Sequence, residues 1–123
     1  MQHVHDSKVR NPVVIGGDIH SFWANDLMLD FDDPRSPVVA TELTGTSISS
    51  PGPSYEQFVK FLPDNPHVKF FDSRYRGYVA VQVSPKRMDV QFRVISDVKH
   101  ADASVSTLRS LSVEDGRAGV VPS

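Results

Sequence analysis

The chain has 123 residues, of which 39% are hydrophobic and 23% are charged, a composition typical of one small globular domain. Its 13 basic and 15 acidic side chains form no run of either sign, which argues against binding to nucleic acid or to an anionic membrane. The chain contains no cysteine, which excludes disulfides and thiolate metal ligands. No stretch approaches the about 20 apolar residues that span a bilayer, and the opening MQHVHDSKVR is too polar for a signal peptide. We therefore expect residues 1–123 to form one soluble domain.

The first part of the chain predicts a helix, a buried strand and a second helix. The polar opening ends at Asn11-Pro12, where proline disfavours helix in the residue before it, so a helix should stop there. The apolar run 12–15 followed by Gly16-Gly17 predicts a strand buried on both faces. Residues 21–29 could form about two helical turns with Ser21 as the N-cap.

The middle of the chain alternates between turns and short elements. Residues 31–37 are dense in turn-forming residues, and the branched side chains of 38–43 predict a strand. The segment 44–54 is rich in serine, threonine, glycine and proline, which indicates a surface loop. Apolar residues at helical spacing in 55–62 predict a short amphipathic helix that ends at Pro63.

The last third predicts a β-hairpin. Residues 78–83 alternate in character, 84–87 form a turn, and 88–95 follow as the second strand. In this second strand Met88, Val90, Phe92 and Val94 share one face, so the hairpin should have one dry side. A further strand is expected around residues 111–113, and the polar tail is expected to fray.

The strongest chemical signal is Gly17-Asp18-Ile19-His20, directly after the first predicted strand. If the chain stays extended there, Asp18 and His20 point to the same side and can converge on one site. A carboxylate oxygen and an imidazole nitrogen suit zinc, iron or manganese, and paired metals of this kind polarise a phosphoester and activate water. The alternative is that Asp18 only caps a turn and that His20 packs beneath it. The motif by itself leaves both interpretations open.

Three sequence blocks together resemble one known family. NPVVIGGDIHSFWANDL, TELTGTSISS and NPHVKFFDSRYRGYVAVQVSP are similar, in this order and at similar spacing, to segments of the PhoD-like alkaline phosphatases and phosphodiesterases. The resemblance runs from about residue 11 to residue 97. It implies an α+β fold, namely the C-terminal part of a calcineurin-like αββα sandwich that is β-rich and ends in a β-hairpin.

The resemblance also implies an activity and a location. Members of this family are metallophosphoesterases that hydrolyse phosphomonoesters and often phosphodiesters at a dinuclear centre, commonly with calcium and iron. They are typically exported, so a periplasmic or extracellular parent enzyme is expected, although this chain shows no signal peptide.

Residue by residue, the resemblance places Asp18 and His20 at the metal, with His20 also catalytic. His67 is a second catalytic candidate, and Lys69 and Arg76 are candidates for binding phosphate, because imidazole can shuttle a proton and cationic groups meet phosphate charge. Each has a structural alternative: a loop histidine for His67, a solvated strand charge for Lys69 and cross-strand pairing for Arg76. The weaker candidates, open to core, loop or cross-strand roles instead, are Phe22, Trp23, Thr46, Ser47, Ser49 and Arg74.

One family feature has no counterpart here. The metal-binding motifs that precede the Gly-Asp-x-His block in the family are missing, so this chain supplies one ligand junction where a dinuclear centre needs several. We therefore expect a fragment truncated at its N-terminus, with little turnover alone, whose missing partner is the N-terminal part of the same enzyme. Two alternatives stay open from the sequence, a non-catalytic β-rich binding module and a different metal hydrolase.

Overall fold

Two four-stranded sheets make up most of the computed structural model, which describes all residues, Met1–Ser123. The first sheet has the strand order β1-β3-β2-β4, with β1 at Val13–Gly16, β2 at Phe22–Met28, β3 at Val38–Thr44 and β4 at Val68–Asp72. The second sheet has the order β5-β6-β7-β8, with β5 at Gly77–Val83, β6 at Arg87–Ile95, β7 at Val105–Glu114 and β8 at Val121–Pro122. The helices are α1 (Gln2–Asp6), α2 (Tyr55–Phe58) and a 3-10 helix over Val59–Asp64. None of them has the length and hydropathy needed to cross a membrane.

The two sheets pack face to face around one apolar core. Phe22 of β2 and Phe92 of β6 are fully buried, and their ring centroids lie 5.1 Å apart. Both sheets contribute to the core cluster, whose members are Phe22, Ala24, Leu43, Val90, Phe92, Val94 and Leu111. Burial of these side chains supplies the main stabilisation of the fold. The predicted β-rich α+β sandwich is confirmed.

The first strand forms where the sequence predicts it, but its predicted burial on both faces is wrong. β1 pairs in parallel with β3 only, from Val13 opposite Thr41 to Gly16 opposite Thr44. It therefore lies at the edge of the sheet, where Val14 is 46% exposed and Ile15 is 69% exposed. An unbroken apolar run is typical of a central parallel strand, and this chain places no second neighbour beside it.

The predicted helix at residues 21–29 is wrong, because the segment forms strand β2. Phe22, Ala24 and Asp26 alternate on the buried face, while Trp23 and Asn25 lie on the other face. A charged residue on the inner face and a large aromatic one on the outer face hide the two-residue period from hydrophobicity alone. Pairing of β2 with both β3 and β4 makes it a central strand.

The predicted hairpin is confirmed as β5 and β6, in a register that pairs Val83 with Met88. Val90, Phe92 and Val94 are buried on its dry side. The strand predicted at residues 111–113 belongs to β7, which begins at Val105. The tail is not frayed as predicted, because β8 pairs with Leu111 and Ser112.

The turn at residues 31–37, the strand at 38–43 and the loop after residue 44 are also confirmed. The helix predicted at 55–62 begins as expected, with the Ser54 hydroxyl accepting from the Gln57 amide. It is α-helical only to Phe58 and then tightens into the 3-10 helix, which contains Pro63 instead of ending at it. A 3-10 turn tolerates this proline because the run is short and leaves few amide donors to satisfy.

Candidate functional site

The Gly-Asp-x-His loop follows β1 and leads into β2. Asp18 has φ 74° and His20 has φ 58°, so both residues adopt the left-handed region that side chains other than glycine rarely occupy. The segment is therefore not extended, which was the condition under which Asp18 and His20 would point to the same side. Asp18 is exposed and His20 is half-buried. Left-handed backbone at non-glycine residues is often found where function requires a particular side-chain placement.

A hydrogen bond fixes the imidazole of His20. Its Nδ1 lies 3.0 Å from the carbonyl oxygen of Pro51, in the loop between β3 and α2. Because a carbonyl oxygen only accepts, Nδ1 must carry the proton and donate. In the neutral ring Nε2 then keeps its lone pair, which is the form that binds a metal ion.

Arg76 is buried beneath the same loop and is only 9% exposed. Its guanidinium donates to the Ser47 hydroxyl at 2.6 Å, to the Ser50 carbonyl at 2.5 Å and to the Ser73 carbonyl at 2.7 Å. Burial lowers the pKa of Arg76, and the charge of Asp72 acts in the opposite direction. With both terminal nitrogens engaged in protein contacts, the guanidinium holds the loop and does not project toward solvent.

Arg74, two residues earlier, has different partners. It forms a forked pair with the buried carboxylate of Asp72, with Nη2 2.7 Å from Oδ2, and its guanidinium lies 4.1 Å from the ring centre of Tyr55. The hydrogen bond to Asp72 raises the pKa of Arg74. This arrangement ties the start of α2 to the end of β4.

His67 and Lys69 lie at the other end of the first sheet. The amide of Asp26 donates to the His67 carbonyl, whereas the strand pairing at the His20 end joins Phe22 to Asp72. Four residues of extended strand separate these two points, which corresponds to about 13 Å. The structure thus brings His20 and Arg76 to one loop and places His67 and Lys69 elsewhere.

The surroundings of His67 and Lys69 are acidic. Lys69 Nζ lies 2.9 Å from the Pro66 carbonyl and 3.5 Å from Asp26 Oδ2, and the His67 ring meets Phe31 edge to face at 4.9 Å. Both residues line a cavity of about 470 Å³ together with Asp26, Asp33 and Asp64. Three carboxylates beside one ammonium group disfavour a phosphate anion there. The catalytic and phosphate-binding roles given to His67 and Lys69 stay predictions.

A second groove lies beside the Gly-Asp-x-His loop, on the outer face of the first sheet. It has a volume of about 380 Å³ and is lined by Gly16, Gly17, Ile19, Trp23, Asn25, Glu42 and Thr44. Asn25 Nδ2 donates to Glu42 at 2.8 Å, while the buried Asn25 Oδ1 has no hydrogen-bond partner. Amide and carboxylate oxygens of this kind are ligands for hard cations. Across all 123 residues, however, no three His, Cys, Asp or Glu side chains lie together as a metal-binding group.

Sequence reasoning missed the loop partners of His20. The sequence predicts only a surface loop at Pro51 and Gly52, and no sequence signal identifies a backbone carbonyl as a histidine partner. A Cβ on Gly52 would overlap the His20 carbonyl and lie 2.7 Å from Arg76 Nη2. The glycine itself was therefore the one available sign of close approach.

Comparisons with known proteins agree with this fold. The PhoD-like phosphatase family matches residues 1–92. Alkaline phosphatase D of Bacillus subtilis (strain 168) is 33% identical over 120 residues, which is 95% of this chain and 20% of that protein. A solved structure described as the structure of PhoD superposes with a TM-score of 0.86 at 32% identity, covering 98% of this chain and 24% of the other.

These matches confirm the resemblance seen in the three sequence blocks. The chain spans about a fifth of the length of the curated relative it matches and about a quarter of the chain in the solved structure. The chain belongs to the PhoD-like phosphatase family.

Proposed function

We propose that this chain is the C-terminal portion of a phosphoester hydrolase and that Asp18 and His20 are two of the ligands of its metal centre. The observation that carries the proposal is the hydrogen bond from His20 Nδ1 to the Pro51 carbonyl. Histidine ligands commonly donate their second ring nitrogen to a backbone carbonyl in this way. The substrate class is a phosphomonoester or a phosphodiester.

The donor chemistry of the loop suits the metals that the family implies. The exposed carboxylate of Asp18 is a hard oxygen ligand of the kind that calcium prefers, and the imidazole of His20 suits iron. Asn25 and Glu42 line the groove beside the loop, and the carboxylate of Glu42 adds oxygen donors next to it. When bound, the metals would polarise the phosphoester and lower the pKa of a coordinated water. The loop's own part is to hold two donors in place.

The proposal requires further ligands from outside these residues. Two loop donors fall short of the three or more protein ligands that catalytic sites use, and no larger group of ligand side chains is present in residues 1–123. We infer that the rest of a longer enzyme supplies them and that this chain alone turns over little substrate. Export of the parent enzyme to the periplasm or the medium also remains a proposal.

The open side of the sandwich is where we place the rest of the enzyme. Strand β1 has a free edge, and Ile15 on its inner side is 69% exposed. Val81 and Val83 of the other edge strand, β5, are 44% and 69% exposed. A parallel strand added beside β1 would pair with the free backbone groups of β1, and the added layer would cover the exposed side chains of both edge strands.

The test uses the purified chain with manganese as a paramagnetic probe. Bound Mn²⁺ should broaden the amide signals of residues 18–20 first, and Asp18→Asn combined with His20→Gln should abolish this effect. His67→Gln combined with Lys69→Gln serves as the matched control and should leave the broadening unchanged. Broadening that begins at other carboxylates, or that survives the loop substitutions, would refute the proposed ligands.

Metal content and phosphatase activity are measured on the same samples. We expect no stoichiometric metal after desalting and no hydrolysis of an aryl phosphate above the rate of the double variant. Bound metal with turnover, both lost in the double variant, would confirm the ligands and refute the inference that others are needed. A non-catalytic binding module would instead keep its partner binding when Asp18 and His20 are both replaced by alanine.

A further inference from the structure

We propose that Arg76 and Gly52 are positioning residues for His20. They hold the segment 50–52 so that its Pro51 carbonyl keeps the imidazole protonated on Nδ1 and leaves Nε2 free as an acceptor. The catalytic meaning of this arrangement rests on the proposed function, since it concerns how a metal ligand is oriented. The arrangement itself is a property of the metal-free chain.

Arg76 binds the loop through several hydrogen bonds. The guanidinium donates through Nη1 to both Ser47 and Ser50, and through Nη2 to the Ser73 carbonyl at the end of β4. The Ser47 hydroxyl also donates to the Ser50 carbonyl. A planar fork with several donors can join two backbone segments in this manner, which a lysine ammonium cannot reproduce.

The carbonyl that Arg76 binds is next to the one that binds His20. Arg76 fixes the carbonyl of Ser50, and the next carbonyl along the chain, that of Pro51, accepts from His20 at 3.0 Å. The loop is also tied to β5, because the Gly77 amide donates to the Ser47 carbonyl at 3.1 Å. The position of the Pro51 carbonyl is therefore set by contacts that His20 itself does not make.

Gly52 leaves no room for a side chain. Its Cα lies against three groups at once, so that an added Cβ would overlap the His20 carbonyl, approach Arg76 Nη2 to 2.7 Å and approach the Ser73 carbonyl to 2.9 Å. Any side chain there would push His20 and Arg76 apart. Glycine at this position thus allows the loop to lie close enough for the Pro51 carbonyl to reach the imidazole.

His20 needs a partner from outside its own segment. With φ 58°, His20 is not part of β2, and no strand neighbour orients its ring. The His20 side chain is instead held by its hydrogen bond to the Pro51 carbonyl. Loss of such an outer partner typically weakens metal affinity 10- to 100-fold, because the ring turns and the tautomer changes.

Arg74 provides a matched control for Arg76. It lies two residues away in the same connection between β4 and β5, and its hydrogen bonds go to Asp72. None of them reaches the loop that contains Pro51. Both arginines can therefore be replaced by methionine, and only Arg76→Met should alter His20.

The experiment measures the tautomer of His20 from the ¹⁵N shifts of its ring nitrogens in the metal-free chain at about pH 9, above the ordinary titration range of imidazole. We expect the wild-type protein and Arg74→Met to hold the Nδ1-protonated form. Arg76→Met and Gly52→Ala should each shift the tautomer ratio toward the Nε2-protonated form by about fivefold or more, the effect of losing one ordinary hydrogen bond. His100, which is exposed and bonded to Asp97, should not change.

Two results would overturn the proposal. One is a wild-type His20 that is protonated on Nε2, and the other is a ratio that stays the same in Arg76→Met and Gly52→Ala. If Arg76→Met does not fold, Ser47→Ala is used in its place, because it removes one hydrogen bond between the guanidinium and the half-exposed loop. An unchanged tautomer ratio of His20 in Ser47→Ala would then overturn the proposal. The readout needs no metal, so an Arg76-dependent tautomer together with manganese broadening that begins away from residues 18–20 would refute the proposed ligands and leave this inference standing.

Discussion

Asp26 Oδ1 accepts a hydrogen bond from the amide of Val120 at 2.9 Å, although 94 positions separate the two residues. This contact joins the central strand of the first sheet to the segment that precedes β8. The neighbouring amide of Gly119 donates to the Thr41 hydroxyl at 3.0 Å, also across the sandwich. The C-terminal segment is thus held by buried polar groups of the other sheet.

Replacing Asp26 with alanine should destabilise the protein by about 1–3 kcal/mol, because the Val120 amide loses its acceptor and Lys69 loses its ion pair. Hydrogen exchange should quicken at Val120 and Val121 more than in β6. Asp32→Ala, at an exposed turn residue, is the control for a lost charge and should change stability by less than about 0.5 kcal/mol. Equal urea midpoints for Asp26→Ala and Asp32→Ala would contradict this role.

The hairpin and the position of β1 could be predicted because local patterns determine them. Alternation along residues 88–95 and the turn at 84–87 are visible without any tertiary contact. Segment 21–29 could not be assigned correctly, because Asp26 is buried only through partners that are distant in sequence, Val120 and Lys69. The charge of Asp26 therefore breaks the apolar alternation by which the inner face of β2 would be identified from the sequence.

The candidate site was predictable only in part, for a similar reason. The Gly-Asp-x-His motif identified Asp18 and His20, but their left-handed backbone and the bond to Pro51 arise from tertiary packing. The sequence indicates Arg76 only as a cation that could meet phosphate. Its burial beneath the loop, which makes it a structural donor, depends on serine and carbonyl groups more than 20 residues away.

The left-handed conformation of Asp18 predicts an asymmetry between two substitutions. Asp18→Asn should leave stability unchanged, because asparagine tolerates positive φ as well as aspartate does. Asp18→Val should cost about 1–2 kcal/mol, because a β-branched side chain crowds the backbone in this region. Urea unfolding of both variants measures the difference. Equal stability of the two would mean that residue 18 relaxes out of the left-handed region at no cost.

Three glycines allow steric overlap to be separated from backbone conformation. Gly77, with φ 157°, combines both effects, because a Cβ there would also overlap the Arg93 carbonyl, so Gly77→Ala should cost about 3 kcal/mol or more. Gly116 has φ 76° with open space around it, and Gly116→Ala should cost only about 1 kcal/mol. Gly17 has neither constraint, so Gly17→Ala should be nearly neutral. Thermal unfolding of the three variants should follow this order, and any other order would reject the steric explanation.

The link between the two ends of the chain should weaken in acid. The hydrogen bond from Asn11 and the charge of Arg10 lower the pKa of Asp115. Its contribution to stability is therefore complete above the unfolded carboxyl pKa of about 3.9 and is lost as pH falls through the lower folded value. Asp115→Asn should be less stable than the wild type at about pH 6, with the gap narrowing as pH falls below about 3.9.

Urea midpoints of Asp115→Asn and the wild type, measured across this pH range, give the difference in stability. Asp102→Asn, at an exposed residue without an ion pair, provides the control and should show the same small difference from wild type throughout. A gap for Asp115→Asn that stays constant as pH falls from about 6 to well below about 3.9 would show that the carboxylate charge does not contribute to the link.

The free edge of β1 predicts how the isolated chain associates. Ile15 is 69% exposed on an edge strand whose outer backbone groups lack a partner strand, which is a template for pairing with another chain. Ile15→Lys should reduce self-association, as measured by sedimentation velocity, without lowering the urea midpoint. Ile48→Lys is the matched control, since Ile48 is 65% exposed but lies in a loop. If both substitutions reduce association equally, exposed apolar area causes it and the strand edge does not.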